Sequence, residues 1–127
     1  MPNKKIKTSE PEKAMSEAEL MRICTNMLER AGMLWWRNPV QGTLYSMNGK
    51  TFMRPSPIAG FPDVSFLGIG GILYCVEFKA AKGRLSDKQK KWLNDLNTAG
   101  AKAYMVKTPL EMAAVIEESL GGDIQIN

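Results

Sequence analysis

Residues 60–79 read GFPDVSFLGIGGILYCVEFK, and the pairing of the two halves of this stretch decides the fold. Pro62 to Leu67 and Ile72 to Lys79 are short runs rich in Val, Ile, Phe and Tyr, parted by Gly68-Ile69-Gly70-Gly71. Such runs around a glycine cluster predict two strands and a turn. The second run is apolar on both faces for most of its length, the pattern of a central strand in a covered sheet. In an antiparallel hairpin, facing residues share a constant index sum. Asp63 faces Glu77 if that sum is 140, which pairs Gly68 with Ile72 and leaves Ile69, Gly70 and Gly71 as the loop. A three-residue loop containing glycine is a common hairpin connection. A slip of one residue would send the two acids to opposite faces. Glu77 and Lys79 share a face in every register, because strand side chains alternate.

Two carboxylates can hold a hard cation through oxygen. Such a cation lowers the pKa of a bound water and neutralises charge on a phosphodiester. A lysine two residues from one carboxylate adds positive charge at the same place. The plainer alternative is a Glu77–Lys79 pair at a frayed strand end. Against it, Glu and Lys are rarely buried without a partner.

The 127 residues suggest one domain, and 44% apolar with 24% charged residues is an ordinary globular composition. The net charge of +4 and a pI near 9.1 suit a polyanionic partner without singling one out. There is no histidine, which removes Ser-His-Asp hydrolysis, Cys-His proteolysis, histidine-metal nucleases and zinc deaminases together. Cys24 and Cys75 are far apart and form no CxxC, which speaks against structural zinc and a disulfide framework and makes a reducing cytoplasm the default. No apolar run reaches the length of a membrane span, and the lysines at positions 4, 5 and 7 precede no apolar stretch of a secretory signal.

Working outward, residues 1–15 read as a loosely held polar tail, 16–120 as the folded domain and 121–127 as a second tail. Ser16-Glu17-Ala18-Glu19 predicts a helix start with Ser16 as N-cap and Glu19 as its capping-box partner. Leu20, Ile23, Cys24, Met27, Leu28 and Ala31 form its inner face, and Gly32 ends it. Glu19 thus has a structural role, whereas Glu17, near the buried face, does not. Met33 to Arg37 predicts a strand stopped by Asn38-Pro39. Asn48-Gly49 predicts a hairpin turn pairing Leu44–Met47 with Thr51–Arg54, in a segment made basic by Arg37, Lys50 and Arg54. Ser86 to Gln89 predicts another capped helix, with Trp92, Leu93 and Leu96 inward and Gly100 at its end. Ala101–Lys107 follows as a strand. Thr108-Pro109 opens a last helix whose inner face would carry Leu110, Ala114 and Ile116. The expected fold class is α/β, a mixed β-sheet flanked by helices in α-β-β-β-α-β-α order, with a parallel crossover from Ile72 to Lys107.

The pattern Gly60-x-Pro62-Asp63, Glu77-x-Lys79, then Lys82-Gly83-Arg84-Leu85-Ser86-x-x-Gln89-x-x-Trp92-Leu93 resembles the virus-type replication-repair nuclease (VRR-NUC) domain of the PD-(D/E)xK nuclease superfamily. The likeness runs from Ser16 to about Leu120. PD…ExK alone is weakly specific; its ordered continuation through KGRLS and Gln89 is much more so. The resemblance implies a restriction-endonuclease-like core and a metal-dependent nuclease using Mg2+ or Mn2+. By it, Asp63, Glu77 and the Phe78 main-chain carbonyl would hold the metal, joined by Glu17 on the first helix. Lys79 would position the attacking water, and Gln89 matches a glutamine near the active site, although a helix cap also explains it. Lys82 and Arg84, with Arg37, Lys50 and Arg54, would contact DNA. Stand-alone domains of this size resemble viral Holliday-junction resolvases, which implies a homodimer acting on branched DNA, from a phage or prophage in the bacterial cytoplasm. A flap nuclease, a sequence-specific duplex nuclease and a non-catalytic DNA-binding module are the alternatives.

Overall fold

The computed structural model describes residues 14–122. Ser16 opens α1 (Glu17–Arg30) with a full capping box: its hydroxyl accepts from the Glu19 N–H, and the Glu19 carboxylate accepts from the Ser16 N–H. Leu20, Cys24 and Leu28 are buried on one face, Ile23 and Met27 half-buried, and Ala31 is the exposed C-cap. Gly32 follows at φ 72°, the left-handed conformation that terminates helices.

Next come β1 (Trp35–Arg37), β2 (Thr43–Met47) and β3 (Lys50–Arg54). Asn48 and Gly49 both take positive φ, 53° and 74°, as a tight hairpin turn requires. They bring Leu44 opposite Met53, one residue inside the ends of a ladder slightly longer than expected. Then β4 (Val64–Leu67), a single 3-10 turn (Ile69–Gly71), β5 (Leu73–Phe78), α2 (Asp87–Ala99), β6 (Lys102–Val106) and α3 (Pro109–Ser119) complete the described chain.

The register at the central hairpin is the one that the loop length demands. Val64 faces Val76 and Leu67 faces Leu73, the index sum of 140. The Gly68 N–H donates to the Ile72 carbonyl, and Ile69–Gly71 is the reversal, with Gly70 and Gly71 at φ 73° and 76°. The sheet order is β1-β4-β5-β6, antiparallel except for the parallel β5–β6 pair joined through α2. Along this sheet the elements read α-β-β-β-α-β-α, with β2 and β3 inserted between β1 and β4 as a separate two-stranded sheet.

Val64, Phe66, Tyr74, Val76 and Phe78 point to one face and form the core with Leu20, Cys24 and Leu28 of α1 and Met112, Val115 and Ile116 of α3. The opposite face carries the polar set Asp63, Ser65, Cys75 and Glu77, by strand alternation. Helix α2 lies against that side, with Trp92, Leu93 and Leu96 half-buried.

Three expectations need correction. The strand before the turn begins at Val64, not Pro62. Proline brings no N–H to the ladder; the Pro62 carbonyl accepts from Asn38 Nδ2 at 3.0 Å, and the Phe78 N–H donates to the Asp63 side chain instead. The first strand begins at Trp35, not Met33, because the Met33 N–H is taken by the Leu28 carbonyl at the end of α1. On α3 the buried set is Met112, Val115, Ile116 and Ser119, while Leu110 is 80% exposed and Ala114 is exposed. Leu110 lies about 200° around the helix from Met112, at about 100° per residue. Residues 1–13 and 123–127, most of the two expected tails, lie outside the described residues. Among the described residues no helix is long and apolar enough to cross a membrane.

Candidate active site

The site lies where β5 runs two residues, Glu77 and Phe78, beyond the start of β4 at Val64. Asp63 follows the buried Pro62 and is held at both its main chain and its side chain. Its carbonyl accepts from the Asn38 N–H at 2.9 Å, and its Oδ2 accepts from the Phe78 N–H at 2.9 Å. Asn38 Nδ2 donates to the Pro62 carbonyl and, at 2.9 Å, to Ser65 Oγ. Asn38 therefore sets the position of the Pro62-Asp63 peptide. Sequence reading took it only for a strand stop, and nothing in an Asn-Pro pair signals the second role.

Glu77 sits on β5, and its residue is 3% exposed. One carboxylate oxygen, Oε2, accepts from Gln89 Nε2 at 3.0 Å and lies 3.9 Å from Lys79 Nζ. The other, Oε1, is buried with no hydrogen-bond partner among the described residues. Burial raises the Glu77 carboxyl to about 8, the charge of Asp63 adds to the rise, and Lys79 opposes it. Asp63 is also raised, first by burial, with the Phe78 N–H working the other way. Two carboxylates facing each other in a dry place, one with an unpartnered oxygen, form a donor set short of positive charge. That is what a hard divalent cation would satisfy. The N–H and C=O of a strand residue point to the same side. The Phe78 carbonyl therefore faces Asp63, past the end of β4, and could serve as a third oxygen donor.

Lys79 Nζ stands between Glu77 Oε2 and Glu17 Oε2, at 3.9 Å and 3.8 Å, so Glu17 reaches the cluster from the start of α1. Among the described residues no third acidic or cysteine side chain joins Asp63 and Glu77 in a metal-holding group. Glu17 meets the ammonium of Lys79 first. Glu17, expected among the metal ligands, pairs here with the ammonium of Lys79.

Gln89 does two things at once. Its Oε1 accepts from the Ser86 N–H at 2.8 Å, completing the capping box of α2, and its Nε2 holds Glu77. The cap and the site contact use opposite ends of one amide.

The turn after β5 closes with the Gly83 N–H on the Ala80 carbonyl at 2.8 Å, and Lys82 and Arg84 lie exposed just beyond Lys79. Arg37, Asn38, Gln41, Met21 and Asp63 line a groove of about 330 Å³, and Arg37, Gln41 and Met21 continue into a second of about 480 Å³ that reaches Glu17. Arg37 is thus beside the acids. Lys50 and Arg54 stand on the β2–β3 hairpin, at the two ends of β3.

Segment 59–63 is fastened to α2. The Trp92 indole donates to the Ala59 carbonyl at 3.2 Å and meets the Phe61 ring edge-on at 4.9 Å between centroids. Gly60 has φ 88°, and a Cβ there would come within 2.8 Å of Lys88 Cβ. Gly60→Ala is expected to destabilise the protein by about 1–3 kcal/mol, from strain at a positive φ and loss of the close approach. Urea unfolding checks this; a variant as stable as wild type would refute the packing argument.

The VRR-NUC domain model matches residues 56–108. That span contains Gly60, Pro62, Asp63, Glu77, Lys79, Gln89 and Trp92, and leaves out Glu17 and the β2–β3 hairpin. Among solved structures, one described as a VRR_NUC domain is 19% identical, with a TM-score of 0.56 over 80% of this chain and 94% of that chain. A second, described as a VRR_NUC domain protein, is 20% identical, with a TM-score of 0.57 over 84% of this chain and 89% of that chain. At these identities the likeness is one of fold. No curated protein matches the chain. The segment that matches the VRR-NUC domain model thus holds the acids, the lysine and the glutamine, and the chain as a whole has the fold of the solved VRR-NUC domains, a mixed sheet flanked by helices of the restriction-endonuclease-like kind.

Proposed function

We propose that the protein is a metal-dependent, structure-selective DNA endonuclease resembling a Holliday-junction resolvase. The observation that carries the reading is the buried Glu77 carboxyl beside Asp63, its Oε1 without a hydrogen-bond partner among the described residues, with Lys79 mostly buried 3.9 Å from Oε2. Asp63, Glu77 and the Phe78 carbonyl would hold Mg2+ or Mn2+. When bound, such an ion supplies Lewis-acid activation of water and neutralises charge on the scissile phosphate. Lys79 brings a cation to the same spot and orients the attacking water. Glu17 holds the lysine from the far side, and Gln89 fixes the rotamer of Glu77. Arg37, Lys82 and Arg84 surround the acids with positive charge for the flanking phosphates, and Lys50 and Arg54 extend it along the hairpin. Contacts of this kind read backbone and shape, not sequence. A four-way junction presents two symmetric strands, which a two-fold homodimer meets with two sites.

The test is cleavage of four-way junction, flap, single-stranded and linear duplex DNA with Mg2+ or Mn2+, by wild type and Lys79→Ala. Faster cutting of branched than of linear DNA, lost in Lys79→Ala by about 10³-fold or more, is expected from removal of a charge acting in the transition state. Preferential cutting of linear duplex at a defined sequence would replace this reading with the restriction-like one, and preference for a flap with the flap-processing one. DNA binding without cleavage under all conditions would leave a non-catalytic module.

A further inference from the structure

Among the described residues the β2–β3 hairpin pairs only with itself, and all ten of its strand residues are exposed. An isolated two-stranded hairpin is marginal in water, so its exposed surface calls for a partner. Directly paired residues share a face, which sorts the hairpin into two unlike sides. One side carries, in order, the pairs Thr43–Arg54, Tyr45–Phe52 and Met47–Lys50. The Tyr45 and Phe52 rings lie 5.5 Å apart at 26°, and the Arg54 guanidinium lies 5.3 Å over the Tyr45 ring. The two residues are 37% and 41% exposed, and the pair of rings has a cation at each end, Arg54 and Lys50.

The hairpin is also tied to the groove beside Asp63. Ser56 Oγ donates to the Pro39 carbonyl at 2.7 Å, closing the two legs together. At Gly42 a Cβ would lie 2.6 Å from the Arg54 carbonyl, so the strands meet at their base with no room for a side chain. Residues 38–41, which lead into β2, line the same groove as Asp63.

We infer that this face is a stacking subsite for nucleobases exposed where pairing or stacking is interrupted at a branch point, with Lys50 and Arg54 taking the neighbouring phosphates. Stacked aromatics flanked by cations are the chemistry that holds single-stranded nucleic acid. Charge decides against a second copy of this chain as the occupant. No acidic residue lies between Arg37 and Asp63, so a two-fold contact between two copies of this face would bring cations together with no carboxylate of the hairpin to answer them. A polyanion answers both cations. The inference rests on the nuclease reading and adds to it the means of choosing branched over linear DNA.

The experiment places 2-aminopurine at an unpaired position next to the branch of a flap and follows its fluorescence in EDTA, where no cutting occurs. Wild type is expected to quench the probe. Tyr45→Ala/Phe52→Ala should lose the quench and bind the flap about tenfold more weakly or worse, with binding to linear duplex unchanged; Phe52→Trp should retain both. A double variant that quenches and binds like wild type overturns the inference while leaving wild-type cleavage, and with it the nuclease reading, intact. A wild type that binds no DNA overturns both. Sedimentation supplies the remaining outcome: a dimeric wild type and a monomeric double variant would make the hairpin's partner a second copy, and would also overturn the inference.

Discussion

Glu77→Gln is expected to abolish cleavage and, in the same molecule, to raise the stability of the metal-free protein at alkaline pH. The two effects have one cause. The Glu77 carboxyl lies buried beside Asp63 and is raised from an ordinary value of 4.5 to about 8. Between those values the unfolded chain has lost this proton and the folded chain keeps it. Stability from this group is therefore complete below about pH 4.5 and is lost as pH rises towards 8. The amide does not titrate, so wild type and variant should melt alike near pH 5, and the variant should melt higher at pH 8, by on the order of a few kcal/mol. A cation reverses the sign for wild type alone. It binds the carboxylate, so its binding releases a proton, and the stabilisation it gives grows with pH. Melting with and without Mn2+ between pH 5 and 8 reads all three effects without any DNA. For cleavage, the loss of several kcal/mol of charge stabilisation amounts to about 10³-fold or more. A variant that cuts DNA like wild type, or that Mn2+ stabilises equally, would sink the assignment of Glu77.

Much of the site was legible because it depends on local counting. A three-residue glycine loop fixes an index sum, and the sum sets Asp63 opposite Glu77. Two Ser-x-x-Glu/Gln signatures place helix starts at Ser16 and Ser86, where both capping boxes form. What stayed hidden depends on distant partners. Asn38 reaches Pro62 and Ser65 across the β1–β4 pairing, a link between residues 24 and 27 positions apart with no local signature. Gly60 was legible as part of a motif but not for its physical reason, which is Lys88 of α2 packed against it. On α3 the alternatives Leu110 and Met112 are both apolar near a helix start, and only the packing on α1 selects Met112. The hairpin was legible as a pairing, but not as a free-standing one. Its apolar residues fall on both sides of the ladder, Tyr45, Met47 and Phe52 on one and Leu44 and Met53 on the other, and that no element among the described residues pairs with it is a tertiary fact.

Gln89→Glu separates the two roles that sequence reading could not. A glutamate completes a capping box as well as a glutamine does, and Glu19 serves α1 in that way within this chain. The Ser86 end of α2 should therefore survive. The other end should not: Gln89 Nε2 donates to Glu77 Oε2 at 3.0 Å, and a carboxylate in its place has no proton to give when ionised. Two carboxylates at that distance cannot both ionise freely, so the proton on Glu77 is held still more tightly. Cleavage should fall about 10- to 100-fold, the range for losing a contact that orients a metal ligand, and the rising limb of the pH–rate profile should move to higher pH. Gln89→Ala removes both contacts and should also lower stability by about 1 kcal/mol through the lost cap. The pair is decisive because a capping role alone predicts the reverse order of harm. If Gln89→Glu cuts DNA with the rate and pH profile of wild type while Gln89→Ala is merely less stable, the glutamine is a helix cap and Glu77 keeps its rotamer by burial alone.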